Sequence, residues 1–153
     1  MPPRTAGARK TYQALRLGLL GVIAILVIQL VIGMVVNLFT TLPTKHPGTG
    51  ESFAPSIPWA LQGGAGLGLS VHVAIAILLV LGSAGLLVRA LMSRRAAFIL
   101  GASVGMILVL YAFSNGLNFL NRGGDDQDSF RMAVASILAL VTYAATFYIT
   151  REH

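Results

Sequence analysis

The sequence predicts an all-α, polytopic membrane protein: four transmembrane helices in an up-down bundle, with N- and C-termini cytoplasmic. Three observations predict it. Of 153 residues, 56% are hydrophobic and 10% charged, and the apolar residues stand in blocks rather than at amphipathic spacing, so no block keeps a polar face for water. The stretches between charges cover residues 17–44, 52–88, 96–121 and 132–150, and a hydrocarbon core of about 30 Å takes roughly 20 helical residues. No stretch alternates like a barrel strand, and a bilayer offers backbone groups no water, so helices are the assignment.

The third observation is the placement of charge. Arg4, Arg9, Lys10, Arg16, Arg89, Arg94, Arg95 and Arg151 fall on one side of the predicted membrane; Lys45, Arg122 and Arg131 fall on the other, beside Glu51, Asp125, Asp126 and Asp128. Eight basic residues against three place both termini and the middle turn in the cytoplasm. The net charge of +6 therefore marks topology and not a nucleic-acid partner. The bilayer is the expected partner, and the cytoplasmic membrane the expected location.

In chain order, residues 1–16 form a short basic cytoplasmic arm that lies against anionic headgroups. Residues 17–39 form the first helix, too long for a signal-peptide core and without a small-residue cleavage site after it. Gln29, Gly33 and Asn37 recur every four residues and share a face that should meet protein. Residues 40–66 form the outer loop, where Pro43, Pro47, Pro55 and Pro58 break any long helix and Trp59 suits the headgroup level. The glycine run before residue 67 is no phosphate loop, lacking both a preceding strand and a Lys-Ser/Thr.

The second helix, about residues 67–91, has a small-residue stripe of Gly66, Ser70 and Ala74, and a separate face with His72, Ala76 and Ser83. With His72 turned inward, the stripe is left for an outer neighbour, which points to a homodimer. A tight turn leads to the third helix, about residues 96–120, which opens with Gly101 and Gly105 at close-packing spacing and ends with Tyr111, Asn115 and Asn118 along one side. An acidic outer loop, residues 121–129, precedes the fourth helix, about residues 130–149, with Met132, Ser136, Ala139 and Tyr143 on one face. Residues 151–153 form a cytoplasmic tail.

Counted at about 1.5 Å per residue, Asn37, His72, Asn115, Asn118, Arg131 and Ser136 gather in the outer leaflet, with Gln29 and Tyr111 nearer the midplane. Any site thus opens outward. His72 is the one intramembrane residue suited to titration or ligation; otherwise it locks the bundle by donating to Asn37 or Asn115. Met132 matches its depth and would complete a His/Met haem ligand pair. With no cysteine in the chain, thiolate metal sites and thiol nucleophiles are excluded. No metal site is expected, since the Asp125–Asp128 cluster lacks the spacing of a calcium loop. No acidic residue stands in a span, which argues against a proton-coupled transporter.

Gln29-xxx-Gly33, the proline-rich outer loop and Leu69-Ser70-Val71-His72 resemble one four-helix half of the haem A synthase type of membrane protein. Asn115-Gly116, Phe119 and Ser129-Phe130-Arg131-Met132-Ala133 resemble small four-helix membrane proteins of high-GC, actinobacterial-type bacteria. The first resemblance implies haem ligation by the second-helix histidine, which is His72. The chain departs from that family at Val73, where arginine often follows, and in having no histidine in its fourth helix. The expected function is that of an accessory or binding subunit of a membrane complex, without catalysis of its own. A haem-binding or haem-handling protein using His72 is the alternative, and a lipid or quinone pocket near Asn37, His72 and Asn115 a second.

Overall fold

A computed structural model of the chain describes residues 6–50 and 53–150, with side chains from Thr11 onward. Of the charges used above to orient the chain, Arg4, Glu51 and Arg151 lie outside the described residues, and Arg9 and Lys10 are described in backbone only. Five helices and no strand occur among the described residues: α1 (Ala6–Phe39), α2 (Phe53–Leu61), α3 (Leu67–Ser93), α4 (Ala96–Asn121) and α5 (Asp126–Ile149). All but α2 are long and apolar enough to cross a membrane. Each of these four packs on its neighbours in the chain, and α1 closes the bundle by packing on α5.

Three helix boundaries differ from the expected ones, each for a local reason. The first helix begins at Ala6 and not at residue 17. Its added turns carry Tyr12 and Leu15, both buried. The Tyr12 ring meets Phe98 edge-on at 5.8 Å, while the Arg95 and Arg16 guanidiniums lie over Tyr12 at 5.0 Å and Phe147 at 4.3 Å. Cation–π contacts of this kind suit arginines held at a membrane surface.

The second difference is α2, a nine-residue helix within the proline-rich connection. Pro55 stands in its first turn, where a missing N–H costs nothing, and Pro58 forfeits one bond inside it. The helix is held by tertiary contacts: the buried Ser56 hydroxyl donates to the Pro47 carbonyl at 3.2 Å, and Ser70 of α3 donates to the Ala60 carbonyl at 2.8 Å. The stripe of Gly66, Ser70 and Ala74 is thus met at Ser70 by α2 of the same chain.

The third is the start of α5 at Asp126, four residues early. Gly123 and Gly124, at φ 69° and 96°, close α4 with the Gly124 amide donating to the Phe119 carbonyl at 2.9 Å. Glycine supplies that left-handed backbone at no steric cost. Asp125 then caps α5 by accepting from the Gln127 amide at 2.8 Å. Asp126 and Asp128 occupy its first turn, where negative charge is favoured. The last four residues of the expected acidic loop are therefore a helix start.

Packing differs along the bundle. At the end carrying Arg94 and Arg95, Gly101 and Gly105 of α4 lie against Thr146 and Tyr143 of α5 so closely that any β-carbon would clash. One core cluster fills this end, including Leu19, Leu26, Leu79, Phe98, Val109 and Tyr143. A second, smaller cluster of Val36, Leu42, Ala60, Leu69, Val73 and Leu120 lies at the end capped by α2. The two are separate.

Candidate functional site

Between the two clusters lies a cavity of about 510 Å³, walled by all four long helices. That volume falls in the range of small-molecule pockets, roughly 300–1,000 Å³. Its walls are mainly apolar: Val36, Leu69, Val73, Leu79, Val109 and Leu120 come from the edges of both clusters, with Phe113 and Leu117 of α4 between them. Val31 and Met34 of α1 and Ile137 of α5 line it too, yet are 59%, 66% and 50% exposed. The cavity therefore opens sideways between α1 and α5. In a bilayer that direction leads to acyl chains.

Five polar side chains stand in the wall: Gln29, Asn37, His72, Ser129 and Ser136. The central pair is Gln29 with His72. Gln29 Nε2 lies 3.1 Å from the His72 carbonyl oxygen and 3.2 Å from His72 Nε2. A backbone carbonyl only accepts, so the amide nitrogen of Gln29 must face it. The second hydrogen of the same nitrogen then points at His72 Nε2, which has to be the unprotonated ring nitrogen. The proton of a neutral His72 thus resides on Nδ1. Both Nδ1 and Gln29 Oε1 are buried without a partner.

Gly33 makes this pairing possible. It sits one turn after Gln29 on the same face of α1, and a β-carbon there would come within 2.9 Å of His72 Cε1. The ring fills the notch left by the missing side chain. Depth counting puts Gln29 deeper than His72, but a long amide side chain spans about one turn, and in the structure Gln29 is the partner of His72 in place of Asn37 or Asn115.

The other candidates divide between wall and periphery. Asn37 Oδ1 accepts from the Ser129 hydroxyl at 2.9 Å, tying α1 to α5 beyond the lateral opening. Ser136 lines the cavity with its hydroxyl turned back to the Met132 carbonyl at 2.8 Å. Met132 shares the wall with His72, its sulfur packed beside Gly116. Asn115 is buried but off the cavity, donating to the Tyr111 carbonyl at 2.7 Å. Asn118 is half-buried and also off the wall. Arg131 is exposed, 3.8 Å from the fully buried Asp128, which Arg122 contacts at 3.3 Å.

Sequence reasoning did not connect His46 with Trp59. Their rings stack at 4.2 Å and 8°, and His46 Nε2 lies 2.8 Å from the Leu120 carbonyl, fastening the outer connection to the end of α4. No short-range pattern signals a contact between a loop and a helix end 74 residues apart. Among the described residues no group of His, Asp and Glu is placed to hold a metal ion.

Comparison with protein-family models, curated proteins and solved structures gives no match.

Replacing Gln29 by Leu removes both bonds to His72. Interhelical hydrogen bonds in membrane proteins average about 0.6 kcal/mol each, so the variant should lose about 1 kcal/mol in denaturant titration of the mixed-micelle protein. The loss should be markedly smaller when His72 is already Phe. Additive losses would show that the two residues do not interact.

Proposed function

We propose that this chain is a multi-pass membrane protein that binds a small apolar ligand between its helices and acts by binding, not catalysis. The observation that carries this reading is the cavity between two closed core clusters, open on its flank and walled mainly by apolar side chains. A bundle built only to span would be expected to collapse such a space, since unfilled volume costs packing energy. A membrane-soluble ligand needs no aqueous entrance, and the flank between α1 and α5 gives it a route. Service as a subunit of a larger membrane complex accords with such a role.

The haem reading has less support. His72 and Met132 share the cavity wall, but His72 Nε2, the ring nitrogen farther from the backbone and the usual reach to an iron, faces the Gln29 amide. Gly33 also confines the ring from the side of α1.

For topology we propose an up-down bundle in the cytoplasmic membrane, with the Arg94–Arg95 turn and both termini inside. Arg16 and Arg95 converge on an aromatic cluster at that end, while at the opposite end Arg122 and Arg131 are drawn to Asp128. Lone cations favour the cytoplasmic face. A reporter enzyme active only outside the cytoplasm should stay inactive when fused after α5; an active fusion would invert the assignment.

Binding is tested by organic extraction and mass spectrometry of the purified protein beside Ala76→Phe, which puts a ring into the cavity from α3. Wild type should release an apolar compound in near-stoichiometric amount, and the filled variant, with unchanged helix content, little of it. No compound from wild type, or equal amounts from both, would refute the reading.

A further inference from the structure

The binding reading leaves open what kind of molecule the cavity holds, and the run of its walls narrows it. At the end capped by α2 the lining begins within three residues of a helix end on all four long helices: Asn37 on α1, Leu69 on α3, Leu120 on α4 and Ser129 on α5. From there it runs inward to Gln29, Val80, Val109 and Ile137. At 1.5 Å per residue that is about 12 Å along α1 and α5 and about 16 Å along α3 and α4. One leaflet's share of a hydrocarbon core of about 30 Å is about 15 Å. The cavity thus has the length and direction of a lipid chain in one leaflet, and it opens onto that leaflet between α1 and α5.

The polar groups are distributed in the same sense. Deep in the wall no free donor remains. Gln29 directs its amide hydrogens to His72, Ser136 turns its own to the Met132 carbonyl, and the orphan atoms Gln29 Oε1 and His72 Nδ1 are buried away from the cavity surface. A ligand carbonyl at that depth would lose its hydration and gain no partner. No Asp, Glu, Lys or Arg lines the cavity, so a charged group would meet no counter-charge inside. At the outer end the exposed Asn37 accepts from Ser129 through Oδ1, and among the described residues nothing accepts from its amide nitrogen. A donor at the level of the helix ends above an apolar interior is the complement of an amphiphile with its head at the membrane surface.

Resting on the binding reading, we infer that the occupant is one acyl chain of a bilayer phospholipid, which enters between α1 and α5 and lies along the cavity, with its ester carbonyl beside Asn37 and its head group outside the bundle. The bilayer's own lipid is the amphiphile in greatest excess at the opening, and mass action favours it over a dilute one of equal affinity. A quinone ring among Gln29, His72 and Ser136 would find no donor for its carbonyls. A bare hydrocarbon would leave the Asn37 amide unused.

The test uses the full chain in phosphatidylcholine vesicles containing a trace of photoreactive phosphatidylcholine, with a diazirine either beside the ester or midway along one acyl chain. After illumination, adducts are mapped by mass spectrometry in wild type and in Ala76→Phe. The mid-chain probe should mark Phe113 and Val80, and the ester-side probe Met132, all three on the cavity wall. In the filled variant these adducts should fall tenfold or more, while those on the exposed Leu81 and Leu110 stay unchanged. The same diazirine on a free fatty acid, at equal mole fraction, should mark Val80 no more strongly; stronger labelling would assign the site to a free amphiphile and overturn the inference. A reversed depth order would overturn it too. Wild-type adducts confined to exposed residues would overturn the inference alone if another apolar compound is released by wild type and lost in the filled variant, and would overturn both readings if none is. The wild-type pattern decides the matter even if the Phe variant does not fold.

Discussion

The interlock of Gln29, Gly33 and His72 is the contact on which the upper half of this bundle depends. In hydrocarbon a polar side chain has no solvent to turn to, so it must find its partner on a facing helix. Gln29 finds two on α3, the ring and the carbonyl of the same residue. The glycine one turn along α1 lets the ring come close enough for both. These contacts fix the rotation of α1 against α3, and thereby which residues of each helix face the cavity. They also fix the tautomer of His72, because a carbonyl beside the amide leaves no freedom to reverse the amide's ends.

The two halves of the bundle solve different packing problems. Where Gly101 and Gly105 admit Thr146 and Tyr143, α4 and α5 press together and the core is continuous. Between lipid-facing helices there is little hydrophobic drive, so this close fit, rather than burial from water, holds them. In the other half α1 meets α3 through Gln29 and His72 and meets α5 through Asn37 and Ser129, and the α2 cap with its His46–Trp59 stack closes the end.

Much of the fold was legible because its cause is a single physical rule. The need for internal hydrogen bonding in a bilayer turns each long charge-free stretch into a helix, and the four spans follow from counting. What escaped the count was decided by contacts at the ends. Tyr12 and Leu15 look like part of a polar arm until Phe98 and Arg95 are brought beside them; α2 has prolines against it and survives on bonds to Pro47 and Ser70; Asp125 reads as loop until it caps α5. The site was legible in part. His72, Asn37, Ser136 and Met132 were identifiable as inward residues at one level and do line the cavity. Asn115, Asn118 and Arg131 share that level but point elsewhere, because depth along a helix says nothing about rotation around it. Gln29 was visible as a packing residue, but its partnership with His72 depends on the reach of a side chain between offset helices, which spacing within one helix does not encode.

The most direct measurement of the central claim is the nitrogen spectrum of the protein labelled with ¹⁵N-histidine, with the His72 signals assigned by their loss in His72→Phe. The account predicts that His72 carries its proton on Nδ1, with Nε2 unprotonated and accepting from Gln29, and that this tautomer preference relaxes in Gln29→Leu. A His72 protonated on Nε2 in the wild-type protein would contradict the interlock.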